Sequence, residues 1–231
     1  MTYTLHYAPD NASLIIRLAL EQRGLPYDTQ LVDRTTRAQD SAAYRALNPH
    51  GLIPVLETPQ GPIFETGAVL LWLADTHGGL SPAPQAPDRA AFLKWLFYLA
   101  NTPHALLRQM FYAETYVEAA AVDALRAGMA AKLTTYFDTL NDLAATHPVW
   151  LGADTPSALD FYLCALLRWS AIYPATYDRS WFDLSHYPAL QSLCEKIDAL
   201  PATDVLRRTE GLGKEPFSNP HLPNPPEGSA T

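Results

Sequence analysis

The stretch from Asn48 to Leu73 constrains the fold of this chain more than any other. It reads Asn48-Pro49-His50-Gly51-Leu52-Ile53-Pro54-Val55-Leu56, then Gly61-Pro62-Ile63-Phe64-Glu65-Thr66-Gly67-Ala68-Val69-Leu70-Leu71-Trp72-Leu73. A loop ends in Ile-Pro, a short strand follows, and a turn leads to a second strand that runs straight into a helix at Glu65-Thr66. A proline that opens a strand has no N–H to give the ladder, so its place is the strand's first residue or an edge. Its neighbour Ile53 is then free to pair with something else. A helix starting near Thr66 offers unsatisfied amides and a positive dipole end to a carboxylate. Together these features suit a ligand with a peptide-like middle and a carboxylate end. Each also has a plainer meaning, since Ile-Pro can be a simple turn and Thr66 a simple N-cap.

Upstream, Thr2 to Tyr7 alternates polar and apolar residues with aromatics, which predicts a strand. Leu14 to Gln22 predicts a helix stopped by Gly24. Pro26 to Val32 suits a second strand and Ser41 to Leu47 a short helix. The order βαβ, then α, then ββα predicts a mixed four-stranded sheet with helices on its faces. The patterning changes after Gly78-Gly79. Ser81-Pro82-Ala83-Pro84-Gln85-Ala86-Pro87 cannot be helical and predicts a stiff linker. From Asp88 the pattern is helical nearly throughout, with candidate helices at 88–115, 118–146, 157–172, 187–199 and 202–209. Pro103 should kink the first of these near its middle. Residues 216–231 carry prolines and no helical period, which predicts a segment extended over the surface or disordered.

Composition excludes several classes of function. The 231 residues are 48% hydrophobic and 17% charged, enough to bury a core, and the net charge of −8 argues against nucleic acid and anionic membranes as partners. The two cysteines, Cys164 and Cys194, lie far apart in helical patterns, which fits buried inert thiols and argues against a disulfide scaffold or a metal site. The first residues show no basic stretch followed by an apolar run, and no window reaches about 18 apolar residues. The expectation is a soluble cytoplasmic protein.

Pro54, Ile53, Glu65 and Thr66 together resemble the thioredoxin-like half of the glutathione S-transferases. The βαβ–α–ββα order, the proline linker and the helical remainder extend that resemblance over about residues 2–210. It implies a thioredoxin-like α/β domain at 1–79, a linker at 80–87, an all-α domain at 88–210 and a proline-rich segment at 211–231. It also implies that the Ile53–Pro54 bond is cis, that Ile53 pairs with the glutathione backbone and that Glu65 and Thr66 hold its γ-glutamyl end. Ser157-Ala158-Leu159-Asp160 resembles the N-capping box of the family's buried central helix. The implied activity is glutathione transfer to small hydrophobic electrophiles by a homodimeric detoxification enzyme, with glutathione as cosubstrate and no metal.

Such chemistry needs a hydrogen-bond donor for the glutathione thiolate in the loop Tyr7-Ala8-Pro9-Asp10-Asn11-Ala12-Ser13, because a free thiol with a pKa near 8.5 is mostly protonated at neutral pH. Cysteine classes of the family would need a thiol near Ala12, and none is present. Ser13, Asn11 and Tyr7 remain as candidates. Asn11 resembles the asparagine of bacterial members with disulfide-reductase activity, and its amide can donate without titrating. Asp10 must point away from the sulfur, since a carboxylate there would raise the thiol pKa. Leu52 stands where the family often has Lys or Arg for the glycine carboxylate, so His50, Arg34 or Arg37 would have to substitute. Met110, Phe111, Tyr112 and Tyr116 are the candidate electrophile pocket. Two alternatives stay open: a glutathione-dependent disulfide or peroxide reductase, and a catalytically weak ligand-binding or interaction protein on the same fold, favoured by Leu52 and Asp10.

Overall fold

A computed structural model describes residues 2–230; Met1 and Thr231, which fall in the expected first and last segments, lie outside the described residues. Four strands form one mixed sheet: β1 (Tyr3–Tyr7), β2 (Tyr27–Leu31), β3 (Val55–Thr58) and β4 (Gly61–Phe64), in the order β2-β1-β3-β4. β1 runs parallel to β2 with Leu5 opposite Thr29, and antiparallel to β3 with Leu5 opposite Leu56. β3 and β4 form a hairpin in which Val55 faces Phe64. Successive strand residues alternate faces. Tyr3, Leu5 and Tyr7 therefore point into the main core with α1 (Ser13–Gln22) and α3 (Thr66–His77). On the other face Val32 and Val55 pack with Tyr44 of α2 (Ala42–Leu47). This is the thioredoxin-like arrangement expected from the element order.

The remainder is helical: α4 (Arg89–Asn101), α5 (Pro103–Phe111), α6 (Val122–Ala145), α7 (Ala158–Ile172), α8 (Pro188–Asp198) and α9 (Pro201–Thr209). The expected single helix over 88–115 is two helices. Thr102 adopts φ −119° and ψ −78°, and Pro103 starts a new helix instead of kinking a continuous one. A proline inside a helix loses a hydrogen bond and clashes with the preceding turn, whereas at the first position neither cost arises. The chain between α5 and α6 winds through two short 3-10 turns, so α6 begins at Val122, four residues later than the sequence pattern suggests.

α7 is buried along almost its whole length. Its start carries the expected capping box: the Leu159 amide donates to Ser157 Oγ (3.1 Å) and the Ser157 amide to Asp160 Oδ2 (2.6 Å). Burial pushes the Asp160 carboxyl up to about 6 against these hydrogen bonds. Cys164 of α7 and Cys194 of α8 are free, fully buried and adjacent, with sulfurs 3.7 Å apart. The proline linker is fixed by Arg89, whose guanidinium bonds both Asp75 oxygens (2.8 and 2.9 Å), Ser81 Oγ (2.7 Å) and the Pro82 carbonyl (2.9 Å). Among the described residues no helix is long and apolar enough to cross a membrane.

The proline-rich segment is extended, one of the two expected outcomes, and it is anchored. Phe217 is buried, and the Asp198 carboxylate accepts from the Phe217 amide (3.0 Å) and from the Ser218 amide and hydroxyl (2.9 and 2.5 Å). Farther along, the Asn224 amide donates to the Gly211 carbonyl (2.9 Å).

Candidate functional site

The hairpin register builds one half of the site. Because Val55 faces Phe64, the residues just outside that pair, Ile53-Pro54 before β3 and Glu65-Thr66 after β4, sit at the same end of the hairpin. The Ile53–Pro54 bond is cis. The Leu52 carbonyl accepts from Tyr44 Oη (2.9 Å) and Asn48 Nδ2 (2.8 Å), which fixes the loop that delivers Ile53. Glu65 occupies the N-cap of α3 with φ +71° and makes no side-chain capping bond. A positive φ is costly for a residue with a Cβ and is held only where the surroundings impose it. Thr66 is buried and opens the helix, so the capping position belongs to Glu65 and not to Thr66. The side chains and amides here meet at a helix N-terminus, the place where backbone geometry favours an anion.

His50 is exposed, its ring edge-on to Phe64 with centroids 6.2 Å apart. Leu52 is exposed and offers no charge. Both arginines considered as its substitutes have partners of their own. Arg37 pairs with Asp40 (2.6 Å). Arg34 donates to Tyr112 Oη (2.7 Å) and to the Ala230 carbonyl.

The β1–α1 loop forms the other half, and contacts far along the chain hold it. Asp10 has φ +46° and is buried. Its carboxylate accepts from Arg168 Nε (2.9 Å) and Nη2 (2.8 Å), Trp169 Nε1 (2.9 Å) and Tyr173 Oη (2.8 Å). Its amide donates to Glu210 Oε2 (2.9 Å), and Glu210 pairs with Arg17 (2.9 Å). The charge of Asp10 is therefore turned into the helical region and neutralised there. Burial pushes the Glu210 carboxyl up to about 7 even with Arg17 beside it.

The same contacts distinguish the three donor candidates. Ser13 is fully buried, and its hydroxyl donates back to the Ala8 carbonyl (3.0 Å), which consumes its single proton. Tyr7 lies under the Arg17 guanidinium, 4.5 Å from ring centroid to Cζ, and its hydroxyl donates to the Glu227 carboxylate. Burial, reinforced by Glu227, raises the Tyr7 pKa, so the phenol stays protonated. Asn11 is half-buried and accepts the Ala12 amide on Oδ1 (2.8 Å), a contact that leaves its NH₂ group unused.

The candidate pocket residues separate. Met110 is fully buried and belongs to the core, so it lines no pocket; at this position the helical period points inward. Phe111 is half-buried, edge-on to Tyr173 at 6.1 Å. Tyr112 and Tyr116 are exposed, and their hydroxyls accept from Arg34 (2.7 Å) and Arg108 (2.9 Å). A surface hollow lined by Glu114 to Glu118 and Ala121 shares Tyr116 with the expected pocket.

Sequence reasoning missed His104. It sits one residue into α5, its Nδ1 2.7 Å from Tyr162 Oη and its ring tilted against Trp169, centroids 5.6 Å apart. Burial pushes it down to about 4, so it is neutral at pH 7. Trp169 bonds Asp10, and the Glu65 charge acts on Tyr162, so His104 lies between the two halves of the site. The sequence signal was faint: a histidine after Pro103, with partners about 60 positions away.

Residues 12–76 match the family described as glutathione S-transferase, N-terminal domain. Glutathione S-transferase GST-4.5 of Xanthomonas campestris pv. campestris is 28% identical over 211 residues, covering 90% of this chain and 98% of that protein. The disulfide-bond oxidoreductase YfcG of Escherichia coli is 28% identical over 218 residues, covering 91% of this chain and 97% of that protein. Among solved structures, a sphingomonad glutathione S-transferase complexed with glutathione superposes with a TM-score of 0.74 at 27% identity, covering 91% of this chain and all of the other.

Proposed function

We infer that this chain is a member of the glutathione S-transferase family and that it transfers glutathione to small electrophiles. The reading rests on one arrangement above all: Glu65 and Thr66, at the positive end of α3, sit at the same hairpin end as Ile53-Pro54. Glutathione has the matching chemistry, a carboxylate at the γ-glutamyl end and a peptide middle. The Ile53 backbone would pair with that middle, and Thr66 and the α3 amides would hold the carboxylate. Opposite them, the α1 N-terminus and the Asn11 NH₂ group would favour the thiolate over the thiol. The thiolate then attacks the electrophile. Ser13 and Tyr7 are assigned to support, because the proton each could donate is already given to Ala8 or Glu227.

A second reading, a glutathione-dependent disulfide reductase, is favoured by Asn11 together with the similarity to YfcG. Both readings use the same thiolate. The fold division at 1–79, 80–87, 88–210 and 211–231, a cytoplasmic homodimer and a detoxification role are part of the proposal.

The test is the thiol pKa of bound glutathione, read by thiolate absorbance in the ultraviolet. Asn11→Ala should raise it by about one unit, since a lost hydrogen bond of roughly 1.4 kcal/mol equals one unit. Ser13→Ala and Tyr7→Phe should leave it nearly unchanged. A wild-type value equal to that of free glutathione would exclude both readings and leave the ligand-binding protein.

A further inference from the structure

The segment after Pro216 crosses from the helical region to the β1–α1 loop. Its root is held firmly, with the Pro216 and His221 carbonyls accepting from Arg168 (2.8 and 3.0 Å) and Asn224 bonded to Gly211. Its tip, 225–230, lies over the loop. The Glu227 carboxylate accepts from the Tyr7 hydroxyl, and the Ala230 carbonyl accepts from Arg34. Gly228, at φ +72°, passes so close that a Cβ there would come within 2.7 Å of Leu31 Cδ1 and 3.2 Å of Pro9 Cδ. Arg34 in turn reaches Tyr112 at the end of α5. The tip thus lies against Tyr7 and Pro9 at the start of the loop that carries Asn11 and, through Arg34, is linked to the end of α5.

Resting on the transferase reading, we propose that the 225–230 tip is an internal occupant of the electrophile side of the site, and that the electrophiles which replace it carry a carboxylate. Tyr7 is buried and its hydroxyl is a donor; Arg34 presents donors only. The tip satisfies them with a carboxylate and a carbonyl. A hydrocarbon electrophile in its place would leave the Tyr7 hydroxyl without its acceptor and Arg34 with Tyr112 alone, whereas one bearing a carboxylate beside its reactive carbon restores an acceptor. A site of polar donors rejects a ligand that lacks the matching group far more strongly than an apolar site rejects a size change. The reaction is unchanged in kind: with a chloronitrobenzoate, the thiolate sulfur bonds the aryl carbon, the carbon–chlorine bond breaks, chloride leaves with the electron pair and the thiol proton goes to solvent.

Two experiments on the full chain test this. The first uses hydrogen exchange without glutathione. Unreactive 3-nitrobenzoate should speed exchange of the Gly228, Ser229 and Ala230 amides at least fivefold, and nitrobenzene should not. No acceleration by 3-nitrobenzoate, or equal acceleration by both, overturns the proposal. The second compares turnover of 4-chloro-3-nitrobenzoate and 1-chloro-2,4-dinitrobenzene. Arg34→Ala should lower the ratio of kcat/KM for the carboxylate probe to that for the neutral probe about tenfold. Gly228→Val, strained at φ +72° and crowded against Leu31 and Pro9, should loosen the tip and raise kcat/KM for the neutral probe several-fold. Equal effects of Arg34→Ala on both probes, or an unchanged Gly228→Val enzyme, also overturn it. Calorimetry with glutathione separates the failures: an enzyme that binds glutathione but ignores these variants keeps the transferase reading and loses this one.

Discussion

The two halves of the site are built in different ways. The half formed by the β3–β4 hairpin and the start of α3 is local: a dozen or so residues, a ladder register and a helix end place Ile53, Pro54, Glu65 and Thr66 together. The half formed by the β1–α1 loop is assembled at long range. Asp10 is bonded to residues about 160 positions away, its amide to Glu210 and Tyr7 to Glu227. A backbone-built cradle tolerates changes in its side chains. A loop held by a buried ionic cluster depends on every member of that cluster. Replacing single members of each half can break or sharpen this contrast.

The largest effect is expected at Asp10. Both Asp10 and Arg168 have side chains that are 0% exposed. Asp10→Ala leaves the guanidinium charged, buried and unpaired, together with the donors of Trp169 and Tyr173. Removing one partner of a buried pair costs about 3–5 kcal/mol. Urea denaturation should show a loss of that size, whereas His50→Ala, exposed at the cradle rim, should stay within about 0.5 kcal/mol. A loss below about 1 kcal/mol for Asp10→Ala would mean that the loop is held by its own turn and not by the network.

The same contrast explains what the sequence made legible. The hairpin half was readable because Ile-Pro before a strand, and a strand running into Glu65-Thr66, are backbone statements made by adjacent residues. The fold order was readable for the same reason. In the loop half the candidate residues were visible but their partners were not. Nothing near Asp10 announces Arg168, and nothing near Tyr7 announces Glu227. The choice among Ser13, Asn11 and Tyr7 turns on which donor is already committed, and only the folded chain settles that commitment. Met110 failed as a pocket residue because an aromatic-rich helical period does not say which face looks inward. Arg34 is committed to Tyr112 at the end of α5 and to Ala230 in the proline-rich segment, whose path the sequence did not reveal.

His104 stands between the halves and gives a pH-dependent test. Burial lowers its pKa from 6.5 to about 4. A histidine kept neutral by the fold contributes stability that is present above the unfolded pKa and is lost as pH falls from 6.5 through 4. At roughly 1.4 kcal/mol per unit the full loss is about 3 kcal/mol. Glu210 acts in the opposite sense. Its pKa is raised from 4.5 to about 7, so its contribution is present at low pH and is lost as pH rises through 7. The two slopes oppose each other in the wild type, and the informative quantity is the difference between wild type and His104→Gln. That difference should change by about 3 kcal/mol between pH 7 and pH 4, in the direction that spares the variant in acid. A pH-independent difference would mean that the imidazole titrates freely and that the junction is wet.

The smallest effect on folding, and the sharpest on binding, belongs to Thr66. A cap residue changed to alanine typically costs about 1 kcal/mol of stability, but the N-cap of α3 is Glu65, and Thr66 is the first residue inside the helix. Alanine is the better helix former there, so Thr66→Ala should change stability by less than about 0.5 kcal/mol. Its proposed bond to the γ-glutamyl carboxylate is charge-assisted and worth roughly 1.5–3 kcal/mol, so calorimetry should show glutathione affinity falling by about 10- to 150-fold. Asp10→Ala would weaken binding only as far as it unfolds the loop, whereas Thr66→Ala would weaken binding in a fully folded protein. If Thr66→Ala lowered stability and left affinity intact, the hydroxyl would serve the helix and not the ligand, and the cradle would be holding its carboxylate by backbone amides alone.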